Sequence, residues 1–255
     1  MPTPTRKIDR PHLLDTRICD LSLAISGTFL GKQVVGLYDD LRRAGLASFQ
    51  PRIYWGDEWF SPQGVPAIAV PFYLADARLL RLEARVTRRA AEGGTPTRCR
   101  MLLRHEAGHC FDHAYRISES KAFARVFGDP ARPYDPDAFK ADRRTTDFVR
   151  HLPGRYAQAH PDEDFAETFA VLLSPTQTAR AVAGGSRIVA KKLRFISNLI
   201  EKWGSVSPLV ADDGSTDYAA TQMRSTLRRH YERRQQSEAR ASRRRQSLKE
   251  TPPSA

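Results

Sequence analysis

Five residues, His105-Glu106-Ala107-Gly108-His109, constrain this chain more than any others. Histidines four positions apart act together on an α-helix, where about one turn separates them and both imidazoles leave one face. That face offers two nitrogens to a tetrahedral metal ion. Glu106 is rotated by roughly 100° from His105, so it reaches a water beside the ion without displacing it. A carboxylate there serves as general base. Leu102, Leu103, Cys110 and Ile117 share a side of the helix with Glu106 and His109, which turns the motif toward a core or cleft. Gly108 costs about 1 kcal/mol against Ala inside a helix, and its bare backbone permits close approach by another. The pattern alone arises by chance in roughly one per cent of chains this size. His113 continues the spacing, but it stands about 12 Å along the axis from His105, too far to share one ion. It reads as a packing or supporting residue. Asp112 is a candidate for orienting a ligand or pairing with an arginine.

Two histidines leave a catalytic zinc site one protein ligand short. The best source is a helix opened by Pro161, with Asp162, Glu163 and Asp164 at the positive end of its dipole. Glu163 and Glu167 lie four apart on one face and repel each other unless a positive group sits beside them. We assign Glu163 as the third ligand and Glu167 as the carboxylate that holds a ligand imidazole. An exposed acidic helix start is the alternative. His160 competes for the ligand role, though its place before Pro161 reads better as the residue that starts the helix.

The remaining chain supplies the frame. Residues 33–44 are expected to be helical, with Val34, Leu37, Tyr38 and Leu41 at helical spacing and Gly45 as a stop. Residues 52–60 and 67–74 read as strands around the turn Ser61-Pro62-Gln63-Gly64, paired as a hairpin or as neighbours. Residues 77–91 suit a strand followed by a charged helix. Helices are expected at 97–117, from Pro161 to about Leu173, and at 188–203. Turns and short helices are expected around Gly128-Asp129-Pro130 and Asp135-Pro136. Three cysteines, Cys19, Cys99 and Cys110, give an odd, widely spaced set that supports neither a disulfide framework nor a zinc ribbon. A reducing, cytoplasmic setting is the simplest expectation. The first twenty residues are polar, so no signal peptide is expected in them, and the apolar stretch 21–37 is too short to span a bilayer.

The net charge of +12 is concentrated near the end: residues 224–249 hold ten Lys or Arg against two Glu, a net of +8. Met223, Leu227 and Tyr231 recur every four residues, so this region is expected to begin as a helix. Its arginines suit an acidic partner or nucleic acid, against the alternative of a solvated, partly disordered tail.

Two segments, 103–109 and 156–170, with Phe127-Gly128-Asp129 between them, resemble the bacterial putative zinc-binding metallopeptidase family. The layout is also similar to the catalytic domain of anthrax lethal factor, which pairs HExxH with a later helix bearing a ligand glutamate and a second glutamate four residues on. That domain has a tyrosine seven residues before its ligand glutamate, the position of Tyr156 here. The resemblance spans roughly residues 67–173. It implies the gluzincin branch of the zincins, Zn²⁺ as cofactor, and Tyr156 as donor to the oxyanion of the tetrahedral intermediate. Many family members carry a cysteine-rich segment before the peptidase region; this sequence has none. In zincins an edge strand pairs with extended substrate, and residues 67–74 are the candidate, with an ordinary buried strand as the alternative.

The expected fold is therefore α+β and zincin-like. A small twisted sheet packs on the HExxH helix, followed by a mainly helical C-terminal part. Residues 1–16 form a flexible arm, 17–205 the metallopeptidase domain, and 206–255 a linker and basic tail. The expected reaction is peptide-bond hydrolysis by Zn²⁺-activated water, with Glu106 as base, Tyr156 as oxyanion donor and His105, His109 and Glu163 as ligands. The substrate is a peptide or protein, and no membrane association is expected. The rival reading is a polyanion- or nucleic-acid-binding protein with a structural or vestigial zinc site.

Overall fold

The computed structural model describes residues 10–134, 139–175 and 179–250. In chain order its helices are α1 (Arg10–Asp15), α2 (Phe29–Arg43), α3 (Ala77–Thr87), α4 (Pro96–Tyr115), α5 (Lys121–Phe127), α6 (Pro161–Leu172), α7 (Ala179–Ala183), α8 (Arg187–Trp203) and α9 (Leu227–Glu250). Two strands, β1 (Arg52–Gly56) and β2 (Ala67–Pro71), lie between α2 and α3. The chain is α-rich with a small sheet, within the α+β expectation. Residues 1–9 of the expected arm, and the turn at Asp135-Pro136, lie outside the described residues; the rest of the arm includes α1.

The strands are neighbours but not a hairpin. They pair in parallel, from Arg52 opposite Ala67 to Gly56 opposite Pro71. The link between them doubles back along the other side of β2. There Phe60 exchanges two antiparallel hydrogen bonds with Ala69, at 2.8 and 3.4 Å. Both strands are shorter than expected: β2 gives way at Phe72 to a turn of 3₁₀ helix, and residues 77–87 are helical, with no strand before them. All of β2 is buried. The Cys110 thiol donates to the Ala67 carbonyl at 3.3 Å, which ties the sheet to α4.

Helix α4 runs through the centre. Thr95 caps its first turn by accepting from the Arg98 amide, and Pro96 occupies the first turn, where no amide partner is needed. The helix is buried almost all round, so neighbours must satisfy its charged residues. Asp40, buried on α2, receives Arg100 and Arg104 of α4 at 3.1 and 2.7 Å, and Arg43 at 2.7 Å. Gly36 makes room for this clip, because a Cβ there would overlap the Arg100 guanidinium. Helix α6 crosses α4 on its other side, where Phe111 and Phe169 stack with ring centroids 5.0 Å apart. At the crossing Gly108 faces Ala166, and a Cβ on Gly108 would come within 2.7 Å of the Ala166 Cα. The close approach anticipated at Gly108 is thus to α6, the helix that carries Glu163.

Helix α8 is held to α6 by the buried pair Lys192–Asp164 at 2.7 Å, and Lys192 also donates to the Asp147 carbonyl at 2.7 Å. The stretch read as linker and tail contributes to the main core through Ala220, Leu227 and Tyr231. The Leu227 amide donates to the Thr16 carbonyl at 3.0 Å, joining the two ends of the described chain. Cys19, Cys99 and Cys110 are free thiols. Among the described residues no helix is long and apolar enough to cross a membrane.

Candidate metal centre

The crossing of α4 and α6 brings together three of the residues singled out in the sequence. His105 Nε2 lies 3.1 Å from Glu163 Oε2, His109 Nε2 lies 3.3 Å from the same oxygen, and the two Nε2 atoms are 3.2 Å apart. Donor atoms about 2.0–2.1 Å from a tetrahedral ion stand about 3.3 Å from one another. The triangle therefore has the size of one face of a zinc coordination tetrahedron, and its chemistry, two imidazoles and a carboxylate, suits that ion.

The orientation of His105 is fixed from behind. Its Nδ1 lies 3.1 Å from Glu167 Oε1, and a carboxylate only accepts, so Nδ1 carries the proton and Nε2 faces the triangle. Glu167 is fully buried, and its second oxygen accepts the backbone amides of His151 and Leu152 at 3.2 and 2.9 Å. Helix α6 starts where the sequence indicated. His160 caps it by accepting the Asp162 amide at Nδ1, 3.2 Å away, while its Nε2 donates to the Arg132 carbonyl at 2.8 Å. Those partners keep His160 out of the triangle.

Charge is balanced within the cluster. Burial works against an ionised Glu163, but hydrogen bonds from His105 and His109 hold its carboxyl well below the usual range. Burial likewise disfavours a charged His105, yet its bonds to Glu163 and Glu167 outweigh that and push it up to about 10. Glu106 is buried beside the histidines, and desolvation raises its carboxyl above the ordinary value. That direction brings it toward the range of a working general base.

A cleft of about 720 Å³ opens over the triangle, lined by His105, Glu106, His109, Tyr156 and Glu163. Tyr156 is delivered by a turn in which Gly154 and Arg155 are both left-handed, at φ 80° and 58°. For Arg155 this costs roughly 1–2 kcal/mol. The Tyr156 ring centroid stands 5.8 Å from that of His105, and Tyr134 donates to the Tyr156 hydroxyl at 3.0 Å. Burial, then the charge of Glu163, raise the Tyr156 phenol above its ordinary value, so it is a neutral donor. His113 also lines the cleft, with its Nδ1 3.3 Å from the Ser61 hydroxyl. Among the described residues Asp112 forms no ion pair with an arginine; it accepts the Ser118 amide at 2.6 Å beyond the end of α4. Sequence reasoning missed Trp59, Ser61, Glu92, Arg98 and Tyr134, which complete the cleft wall. They are scattered along the chain, and no local spacing marks them.

A histidine pair on one helix, its buried member His105 backed by a carboxylate, is closed by a glutamate from a second helix and faces a cleft; two imidazoles and one carboxylate so placed could hold a metal ion. Residues 96–213 match the model of the family described as putative zinc-binding metallo-peptidase, which bears out the resemblance drawn from the two motifs. The matched span begins at the first residue of α4 and runs beyond α8, so it extends past residue 173 and leaves out the sheet. No curated protein and no solved structure matches the chain at the significance required.

Proposed function

We propose that the chain is a zinc-dependent peptidase of gluzincin type, within a zincin-like unit spanning residues 17–205. The observation that carries this reading is the triangle of His105, His109 and Glu163 at zinc-sized spacing, with Glu106 and Tyr156 lining the same cleft. His105, His109 and Glu163 would hold the ion. Zinc in such a site supplies Lewis-acid polarisation of a carbonyl and lowers the pKa of water. Glu106 accepts a proton from the attacking water and passes it to the leaving amine. The Tyr156 hydroxyl donates a hydrogen bond to the oxygen that becomes negative as the carbonyl turns tetrahedral. Glu167 keeps the His105 ring in the tautomer that leaves Nε2 free to bind.

Extended substrate meets a different edge from the one expected. The outer side of β2 is already taken at Ala69 by Phe60. Because Phe60 points its amide and carbonyl at β2, the amides and carbonyls of Trp59 and Ser61 point the other way. Those residues also line the cleft, so they are the edge offered to a peptide.

The test is Glu106→Gln. Purified wild-type chain is expected to retain about one zinc and to cleave denatured protein. The variant is expected to keep the zinc and lose cleavage by several orders of magnitude. A wild-type chain that takes up no zinc, or a variant that cleaves normally, contradicts the proposal.

A further inference from the structure

Helix α4 carries three arginines in its first half, and two of them are paired. Arg100 and Arg104, rotated roughly 200° and 240° from Arg98, turn onto Asp40. Arg98 looks the other way. It stands within roughly 20° of His105 and of His109, because seven and eleven residues make close to two and three full turns. Arg98, Leu102, His105, Glu106, His109 and His113 accordingly form one face, and all of them line the cleft. Arg98 is half-buried, and among the described residues its side chain has no acidic partner.

The open edge at residues 59–61 leads to Arg98. The Trp59 ring packs against Gly93, just before α4, where an added Cβ would come within 2.7 Å of it. Ser61 lies at the other end of the face, its hydroxyl 3.3 Å from His113 Nδ1. The segment thus runs beside α4, and a peptide paired with it passes along the cleft floor from the histidines toward Arg98. Seven helical residues separate His105 from Arg98 by about 10 Å. An extended peptide rises about 3.3 Å per residue, so Arg98 meets the chain about three or four residues from the scissile bond.

We propose that Arg98 makes the site selective for acidic peptides, by binding a peptide carboxylate at that distance from the scissile bond. The carboxylate comes from an Asp or Glu side chain, or from the C-terminus of a peptide that ends there. Near neutral pH carboxylates are the only anions an unmodified peptide offers, and a guanidinium pairs with them bidentately. Glu92 lines the same cleft and opposes this attraction, because its charge repels an incoming carboxylate. It is exposed, however, and solvent screens it more than the half-buried Arg98. The net charge of +12 adds to the attraction at longer range. This selectivity rests on the peptidase reading and adds a substrate class to it.

The test uses the zinc-loaded full chain. Cleavage sites are mapped on denatured casein by mass spectrometry, and peptides are built on one mapped site. One set, amidated at its end, carries Glu or Gln at each position near the bond. A second set ends at each of those positions as free acid or amide, which separates the two sources of the carboxylate. Wild type is expected to favour Glu over Gln, or free acid over amide, about tenfold in kcat/KM at a position three or four residues from the bond, and Arg98→Gln to shrink that ratio to about twofold or less. Arg98→Glu is expected to favour Lys over Glu at the same position. Its carboxylate falls in the first turn of α4, where the helix dipole favours it, and circular dichroism checks that both variants are folded. Glu92→Gln is expected to raise kcat/KM for the acidic peptide. A wild type that cleaves without this preference, or an Arg98→Gln variant that keeps it, overturns the role of Arg98 and leaves the peptidase reading standing. A zinc-loaded wild type that cleaves neither casein nor peptides overturns both.

Discussion

Glu167 joins two parts of the chain at the candidate metal centre: one oxygen receives His105 Nδ1 at 3.1 Å, and the other receives the amides of His151 and Leu152. One buried carboxylate therefore sets the tautomer of His105 and anchors the segment leading to Tyr156. Glutamine cannot replace it, because its NH₂ would face a donor on one side or the other. Glu167→Gln and Glu167→Ala are both expected to weaken zinc binding about 10–100-fold. Competition against a chromogenic chelator measures this; unchanged affinity in the Gln variant would contradict the role.

Gly108→Ala sets helix propensity against sterics. Alanine gains about 1 kcal/mol in a helix interior. The new Cβ, however, would lie 2.7 Å from the Cα and 3.0 Å from the carbonyl oxygen of Ala166, and backbone atoms cannot swing aside. Overpacking of this kind costs about 1–3 kcal/mol or more, and sterics are expected to win. The thermal midpoint should fall by roughly 3–10 °C, read by calorimetry. A rise would mean that α4 and α6 are not packed this closely.

His230 gives the fold an acid sensitivity that can be assigned. Burial against Phe72, then the charges of Arg234 and Arg233, lower it to about 4. Asp57, Glu58 and Glu238 line the same recess and leave that direction unchanged. The unfolded chain, at the ordinary value near 6.5, binds the proton more readily, so this contribution to stability is complete above pH 6.5 and is lost as pH falls through 4. Between pH 7 and pH 4.5 the loss is roughly 2 kcal/mol. Urea unfolding of wild type and His230→Gln at both pH values isolates it: the variant should lose about that much less. Equal losses would refute the assignment.

The local features were legible in the sequence because they depend on near neighbours. The expected helix at 97–117 is α4 at Pro96–Tyr115, and Pro161 opens α6. Glu163 and Glu167 share a face because the helix repeat requires it. What the sequence could not supply were contacts between distant segments that no shared chemistry links. The turn at residues 61–64 suggested a hairpin, but the pairing is parallel and Phe60 covers the far side of β2. The turn residues set the reversal and not the partner. Asp40 and its partners Arg100 and Arg104 come from different helices, and no spacing connects them. Tyr134 lies far in sequence from the residue it supports, Tyr156, and only the folded chain pairs them.

The central claim is that Glu163 completes the metal centre, and zinc-edge X-ray absorption on the zinc-loaded chain tests it most directly. The predicted first shell is two imidazole nitrogens with oxygen at about 2.0–2.1 Å. Glu163→Ala, still folded, should then lose carboxylate oxygen from that shell and bind zinc at least tenfold more weakly. A shell and an affinity unchanged by Glu163→Ala would contradict the account.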